Sequence, residues 1–441
     1  MAKGTPDVLK GHTDTRFPPS NTIGILVRRG IPLRRIVACL VALGLLILVN
    51  AWLDSNHLNW GPPRNSLRLW PAHSGIVLDH CVWGPGLVSA STAAGFEITL
   101  TAETKLLLSR SIPPSFMLSR TALSGKLDIT TSPHLKNMAR VIVNASSFGT
   151  HAGADIKVCL TSGIQAPSQR GVNIFINRLF SGDGMFMNIR LILPEGAPPL
   201  HLKSFIVGLP EFAISMSGNL GGSVTFDSMD VRTSNAPVLI NSLSVGKAEL
   251  HTSNAAISAD SITCNNLMFH TTNGAISGSF NTSGWLALIT SNASINATVG
   301  LSNVDGSSAT RLSLQTNNGN LNATISIATA GNYVVHSTTS NGPLALAVPT
   351  APRNGVLTIT ASTSNARAEV GVPAGYEGAF AVSGAHSGRV VHRDGDDARH
   401  IEYASPTYTN VTSGWVYTEE AGRRTGSVSV TAFNSSAVLV L

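Results

Sequence analysis

The densest group of side chains that could do chemistry lies near the C-terminal end of the chain, in the segment HRDGDD at residues 392–397. Neighbouring carboxylates can bind calcium or act as a general acid and a general base. A calcium loop needs oxygen ligands at regular offsets and a distal acid that closes the loop, and no such acid follows this segment. Because Asp-Gly between strands is common in hairpin turns, we interpret the segment as a turn and predict no metal there.

Enzymes that cleave polysaccharides need paired carboxylates, or an acid and a base on one face of the fold. The acids in the middle of the chain are Glu249, Asp260, Asp305 and Glu369. They do not share a position in the repeat described below. His80 and Cys81 resemble a base and a nucleophile only by adjacency, which rarely gives a productive pair. No phosphate loop, dinucleotide fingerprint or zinc-protease motif occurs, so the sequence predicts no catalytic residue, no metal site and no cofactor.

Asparagine is the polar residue with the most regular spacing. Four copies of Thr-Ser-Asn-Ala or Thr-Thr-Asn-Gly place an asparagine every 19 residues, and three looser copies follow. The seven anchor asparagines are Asn235, Asn254, Asn273, Asn292, Asn318, Asn341 and Asn365. Asparagine tolerates the left-handed backbone of a tight corner, and stacked asparagines can form a ladder of side-chain amide hydrogen bonds. We predict such a corner ladder.

Apolar residues recur at fixed offsets from each anchor. The positions four before it are Val231, Leu250, Phe269, Leu288 and Leu314, and those three after it are Val238, Ile257, Ile276, Ile295, Leu321 and Leu344. Alternation with period two predicts half-buried strands, and a repeat near 20 residues is typical of a solenoid. We predict an all-β fold with a parallel β-solenoid of about 19-residue rungs over residues 225–370. The threonine of each repeat shares the inward face.

The flanking segments read as short strands separated by turns. Residues 85–224 are predicted to form either a β-rich N-terminal cap or irregular first rungs of the solenoid. Residues 371–441 are predicted to form a β-rich C-terminal cap. Caps of this kind cover strand edges that the open ends of a solenoid would otherwise expose.

The N-terminal part of the chain predicts a membrane anchor. Residues 1–35 are basic and rich in Pro and Gly, and they read as a disordered cytosolic tail. Residues 36–53 are almost entirely apolar, and they read as a transmembrane signal-anchor helix whose partner is membrane lipid. Residues 54–84 read as a stalk.

The positive-inside rule places the N-terminus in the cytosol and residues 54–441 outside the cell or in the secretory lumen. The basic residues just before the apolar run are Arg28, Arg29, Arg34 and Arg35. A signal peptide cleaved near residues 49–51 is the alternative.

Composition argues against a nucleic-acid partner and leaves the pairing of the cysteines open. Most of the net charge of +6 lies in the first 35 residues, so the rest of the chain is nearly neutral and no nucleic-acid surface is predicted. Of the four cysteines, Cys39 lies in the apolar run and Cys264 has the parity of a buried free thiol. Cys81 and Cys159 could pair in an oxidising compartment or remain free.

Seven N-x-[Ser/Thr] sequons occur in a chain rich in these residues, so the motif alone carries little weight. With the predicted topology, the candidate N-glycosylation sites are Asn144, Asn281, Asn296, Asn322, Asn410 and Asn434. Asn292 is also a corner anchor, where a glycan would compete with the ladder.

The phrase Thr-Ser-Asn-[Ala/Gly]-x-[Ile/Val] resembles the repeat of a large family of adhesin-type β-solenoid proteins, most of them uncharacterised. The best matches are 252–257 and 271–276, and the resemblance covers about 225–370. The order of basic tail, single span and β-rich ectodomain is similar to that of fungal members. Alanine replaces glycine at several corners. The resemblance implies a β-solenoid and adhesion, and it supplies no catalytic residues.

These observations predict a single-pass membrane protein that displays a β-solenoid as a non-enzymatic adhesin-type interaction module. The expected partners are cell-wall or surface glycans or another surface protein. One alternative is a carbohydrate-active enzyme whose site would lie between the solenoid and a cap. Its candidate residues are His392, Asp394, Asp396 and Asp397. The other alternative is a lumenal scaffold that binds a protein along a strand face or edge.

Overall fold

The computed structural model describes residues 76–83, 93–111, 122–148, 155–163, 168–178, 184–304, 308–385, 388–391, 399–404, 410–420, 422 and 425–441. The predicted cytosolic tail and the predicted membrane span at 36–53 lie outside these residues. Within them, no helix combines the length and the hydropathy that crossing a bilayer requires.

The described chain is an all-β structure built on one long sheet of 27 mostly parallel strands. The N-terminal strands are β1 (Ile76–Trp83), β2 (Ala93–Thr99), β3 (Lys105–Ser111), β4 (Ala122–Ser132), β5 (Met138–Phe148), β6 (Asp155–Gly163), β7 (Gln169–Arg178), β8 (Gly184–Pro194), β9 (Leu200–Gly208) and β10 (Phe212–Met216). The central strands are β11 (Val224–Arg232), β12 (Val238–His251), β13 (Ile257–His270), β14 (Ile276–Ile289), β15 (Ile295–Leu301), β16 (Thr310–Gln315), β17 (Leu321–Ile327), β18 (Asn332–Thr339), β19 (Leu344–Thr350), β20 (Val356–Thr363) and β21 (Ala368–Gly371). The C-terminal strands are β22 (Gly378–Gly384), β23 (Gly388–Val391), β24 (His400–Tyr403), β25 (Val411–Tyr417), β26 (Ser427–Ala432) and β27 (Ala437–Val440). One four-residue helix, α1 (Leu220–Ser223), is the helical element of the described residues.

The repeats stack as successive coils in register. Val238 pairs with Ile257, which pairs with Ile276, which pairs with Ile295. All four side chains are buried. Because side chains alternate along a strand, a slip by one residue would turn every apolar side chain outward, so the burial pattern holds this register. The arrangement is consistent with the predicted solenoid.

Each coil contributes two strand segments to two parallel stacks. The segments that follow a Thr-Ser-Asn corner form the A stack, which contains residues 238–240, 257–259 and 276–282, then β15, β17, β19 and β21. The segments that precede a corner form the B stack, which contains β11, residues 247–251, 266–270 and 285–289, then β16, β18 and β20. Phe269 of the B stack meets Phe280 of the A stack edge to face, with ring centroids 5.5 Å apart, so the core lies between the stacks.

The last strands of the chain do not lie last in space. β26 lies between β20 and β22 and pairs in parallel with both. β27 lies in the same way between β21 and β23. Beyond them, β25 runs antiparallel to β22, and β24 runs antiparallel to β25. Residues 371–441, which the sequence predicted as a cap, therefore supply an inserted coil as well as closing strands.

An early coil is inserted at the other end. β3 lies between β7 and β9, and β4 lies between β8 and β10, all in parallel. β5 and β6 then run antiparallel to β8 and β7, and β2 and β1 pair antiparallel with β5 and β6. The described part of residues 85–224 thus contains both parallel coil strands and antiparallel strands.

The end of the predicted stalk differs from expectation. Residues 76–83 form β1 and pair with β6, with Cys81 opposite Cys159. A disulfide joins these two cysteines, so β1 is held to β6 covalently as well as by strand pairing.

Candidate functional site

The seven anchor asparagines lie along one edge of the coils, where a B segment turns into an A segment. Asn273 Nδ2 donates to Asn254 Oδ1 over 2.6 Å, and Asn292 Nδ2 donates to Asn273 Oδ1 over 2.6 Å. The same bond joins Asn254 to Asn235, Asn318 to Asn292, Asn341 to Asn318, and Asn365 to Asn341. Each amide accepts from the next coil and donates to the previous one, so the side chains form one continuous ladder.

The ladder extends beyond the residues identified from sequence. At one end Asn235 Nδ2 donates to Glu211 Oε1. At the other end Asn434 Nδ2 donates to Asn365 Oδ1 over 2.8 Å. Asn434 was missed as a ladder residue because its corner reads Ala-Phe-Asn-Ser and lies 69 residues from its partner. Its place next to Asn365 follows from the insertion of β26 and β27.

The corner threonines form a second series of bonds inside the ladder. Thr290 Oγ1 donates to the Gly274 carbonyl oxygen over 3.0 Å, and Thr316 Oγ1 donates to that of Ala293 over 2.9 Å. Both threonines are buried. A buried hydroxyl without a partner would be destabilising, so these bonds both satisfy the side chain and fasten each coil to the one before it.

The sequons occupy the A stack, the corners and the antiparallel strands near the two ends. Asn296 and Asn322 are exposed on the A stack and are direct partners in register. Asn281 is exposed on the same stack, in β14. The remaining sequon asparagines are Asn144 in β5, Asn410 next to β25, and the ladder residues Asn292 and Asn434. None of the seven lies on the B stack.

Two acids of the coils, Glu249 and Glu369, are held in ion pairs with bases two residues away. Glu249 Oε1 lies 2.9 Å from Lys247 Nζ, and this hydrogen bond lowers the pKa of the Glu249 carboxyl. Glu369 pairs with Arg367 at 2.8 Å. Asp260 is exposed on β13. No group of three His, Cys, Asp or Glu side chains in the described part of the chain could hold a metal ion. Asp305 and the 392–397 segment lie outside that part.

The three described cysteines take two different states. Cys81 is bonded to Cys159, so it cannot serve as the thiol nucleophile that its neighbour His80 might have suggested. Cys264 is a buried free thiol of the core, and burial raises its pKa to about 11.

Two histidines lie on the outer side of adjacent B segments. His251 and His270 are register partners, and their rings lie 5.6 Å apart. Burial lowers the pKa of His251, and the positive charge of Arg232 lowers it further. The neutral imidazole is therefore favoured in the folded protein.

Sequence reasoning missed an exposed tryptophan on the B stack. Trp285 keeps 36% of its surface exposed, whereas the nearby aromatic residues Phe269 and Phe280 are fully buried. It lies between Asn266 and Arg311 in register. The repeat could have placed this residue on the outer side of its coil. Trp285 stands 12 residues after its anchor asparagine, and the polar residues Lys247 and Asn266 occupy the same position in the two preceding coils.

Comparison with known proteins gives little further information. No protein-family model and no curated protein matches the chain. One solved structure, a candidate cell adhesion protein from Clostridium sporogenes, aligns with 79% of this chain and 99% of its own at 10% identity and a TM-score of 0.13.

Proposed function

We propose that this protein is a single-pass membrane protein that displays a rigid β-solenoid outside the cell or in the secretory lumen. Residues 36–53 anchor it, with the N-terminus in the cytosol. The ectodomain acts as an adhesin-type interaction module that does not alter what it binds. Cell-wall or surface glycans, or another surface protein, are its partners.

The observation that carries this proposal is the unbroken ladder from Glu211 to Asn434. Stacked coils fastened in this way present the same outward positions again and again, and such repeats are suited to extended binding surfaces. The disulfide between Cys81 and Cys159 supports an oxidising compartment for the ectodomain.

One experiment distinguishes binding of a polysaccharide from its cleavage. Full-length protein in detergent is incubated with insoluble cell-wall polysaccharides, and both retention of the protein and release of soluble fragments are measured. Retention without fragments above a boiled control is the expected result. Released fragments would establish an enzyme instead, and neither retention nor fragments would favour a protein-binding scaffold.

The topology has a separate test. Protease added to intact cells should digest the ectodomain and leave the tail before residue 36 protected. Protection of the ectodomain in intact cells, with digestion after permeabilisation, would place it in the secretory lumen. Digestion of the tail in intact cells would contradict the orientation.

A further inference from the structure

Trp285 lies on an outward column that crosses the coils at right angles to the strands. The column contains Lys247, Asn266, Trp285, Arg311 and Val334, each the register partner of the next. Adjacent strands lie about 4.8 Å apart, which is close to the length of one sugar ring in an extended chain. A chain that follows this column would therefore present a new sugar to each coil.

A β-bulge directly precedes Trp285 in β14. The pairing of β13 with β14 shifts register between Cys264 and Asn266, so β14 carries an extra residue at Ser283 and Gly284. A bulge of this kind re-aims the side chain that follows it. A Cβ at Gly284 would lie 2.9 Å from Asn266 Oδ1 and 2.7 Å from the Asn265 carbonyl oxygen, so glycine lets the two coils approach closely here.

The two register neighbours of Trp285 are hydrogen-bonding groups that have no side-chain partner among the described residues. Neither the Asn266 amide nor the Arg311 guanidinium makes a side-chain hydrogen bond or an ion pair with any residue that the structure describes. Both are exposed. By contrast, Lys247 in the same column is paired with Glu249. An exposed indole flanked by an open amide and an open guanidinium offers a flat apolar face with donors and an acceptor at each side.

The sequons of the central coils lie outside this column. Asn281, Asn296 and Asn322 lie on the A stack, and the core separates the A stack from the B stack. None of the residues of the B column is therefore itself a candidate glycan attachment site.

We propose that Trp285, Asn266 and Arg311 form a binding subsite for an extended glycan chain. One sugar ring stacks on the Trp285 indole, and its hydroxyls bond to the Asn266 amide and the Arg311 guanidinium. Arg311 can bind a neutral diol or a uronic acid carboxylate through the same fork. This inference rests on the proposed adhesin-type function and names the ligand class for it.

The test measures binding of fluorescently labelled hexasaccharides to full-length protein in detergent. The probes are a β-1,3-glucan, a β-1,4-glucan, a chitin oligomer and an oligogalacturonate. At least one probe should bind, and Trp285→Ala should weaken that binding about tenfold, which corresponds to about 1.4 kcal/mol. Trp285→Tyr should retain most of the affinity. Arg311→Ala and Asn266→Ala should each weaken binding by about threefold to tenfold.

Two control variants remove the same chemistry from other places. Phe433→Ala removes an exposed aromatic side chain at the ladder edge, and Arg353→Ala removes an exposed arginine from a loop. Both should bind as the wild type does. If the protein binds the oligogalacturonate more tightly than the neutral probes, the ligand is an acidic glycan. If it binds a neutral probe and Arg311→Ala weakens that binding, the ligand is a neutral glycan.

A measurement on the wild-type protein tests the subsite even if the variants fail to fold. A bound hexasaccharide should slow oxidation of Trp285 by N-bromosuccinimide, as followed by mass spectrometry, and leave other reactive tryptophans unaffected. If the wild type binds a probe but the Trp285 variants bind equally and Trp285 is not protected, the subsite is wrong and the adhesive function stands. If the wild type binds no probe, the glycan-binding function fails together with the subsite.

Discussion

The central coils and the two ends of the molecule are held together by different means. In residues 238–289 each coil bonds to the coil 19 residues away, through the Asn ladder, the corner threonines and in-register strands. At the ends, strands far apart in sequence become neighbours, as β20 and β26 do, and a disulfide links residues 78 apart. The centre thus depends on repeated contacts between neighbouring coils, whereas the ends depend on pairing between strands that lie far apart in sequence.

Removal of residues 427–441 should have the largest effect, because it takes away an inserted coil. Val428, Val430, Leu439 and Leu441 are buried, and burying each such side chain contributes about 1.5–3 kcal/mol. Hydrogen exchange should show loss of protection in β20–β23 while β12–β14 stay protected. The matched control Ser429→Ala, on the outer side of β26, should change stability by less than about 0.5 kcal/mol. Equal protection of β20 with and without the deletion would contradict the insertion.

Loss of the disulfide should come next. The Cys81→Ser, Cys159→Ser double variant opens a loop whose ends lie 78 residues apart, and the loss of this loop closure should lower the free energy of unfolding by about 4.5 kcal/mol. Thermal denaturation should show a lower Tm than the wild type. A reductant should lower the wild-type Tm by a similar amount and leave the variant unchanged. A reductant effect on the variant would show that this bond is not the one responsible.

Adding a methyl group at Gly274 tests how closely the corners of the central coils pack. A Cβ at Gly274 would lie 1.7 Å from the Ala255 carbonyl oxygen, so Gly274→Ala forces adjacent coils apart and should destabilise the protein by about 1–3 kcal/mol. A Cβ at Gly196 would meet no atom within 4 Å, so Gly196→Ala is the control and should be near neutral. Chemical denaturation of both variants measures the difference. Equal stabilities would mean that corner packing does not limit the central coils.

The ladder itself should have a moderate effect per residue. Asn273→Ala removes a donor to Asn254 and an acceptor for Asn292, and the loss should be about 1–2 kcal/mol. Asn241 is exposed on β12 and makes no described side-chain bond, so Asn241→Ala should change stability little. If Asn273→Ala and Asn241→Ala lower the free energy of unfolding equally, the side-chain bonds of the ladder do not contribute to stability.

Acidic pH should have the smallest effect. Burial, Arg232 and His270 lower the pKa of His251, whereas Asp230 and Glu249 act in the opposite direction. The unfolded chain therefore binds a proton more readily, so this contribution to stability is present above the ordinary histidine pKa and falls as the pH drops. His251→Gln should reduce the fall in Tm between pH 7.5 and 5.5, by no more than about 2 °C. An unchanged or steeper fall would exclude His251 as its source.

The sequence by itself determined the central coils. The spacing of the anchors fixed the register, and the period-two pattern fixed which side chains, from Val238 to Leu344, face the core. The asparagine corners followed from the same repeat. These features could be predicted because each depends on contacts between neighbouring copies of one short phrase.

Only the tertiary structure decided the ends and the candidate glycan subsite. The insertion of β26 and β27, and with it the place of Asn434 in the ladder, depends on long-range pairing that no local pattern records. Arg311 lies beside Trp285 although 26 residues separate them, because the coil between them is longer than its neighbours. A strict 19-residue period would have put residue 304 there, so the chemistry beside the indole follows from how the longer coil folds.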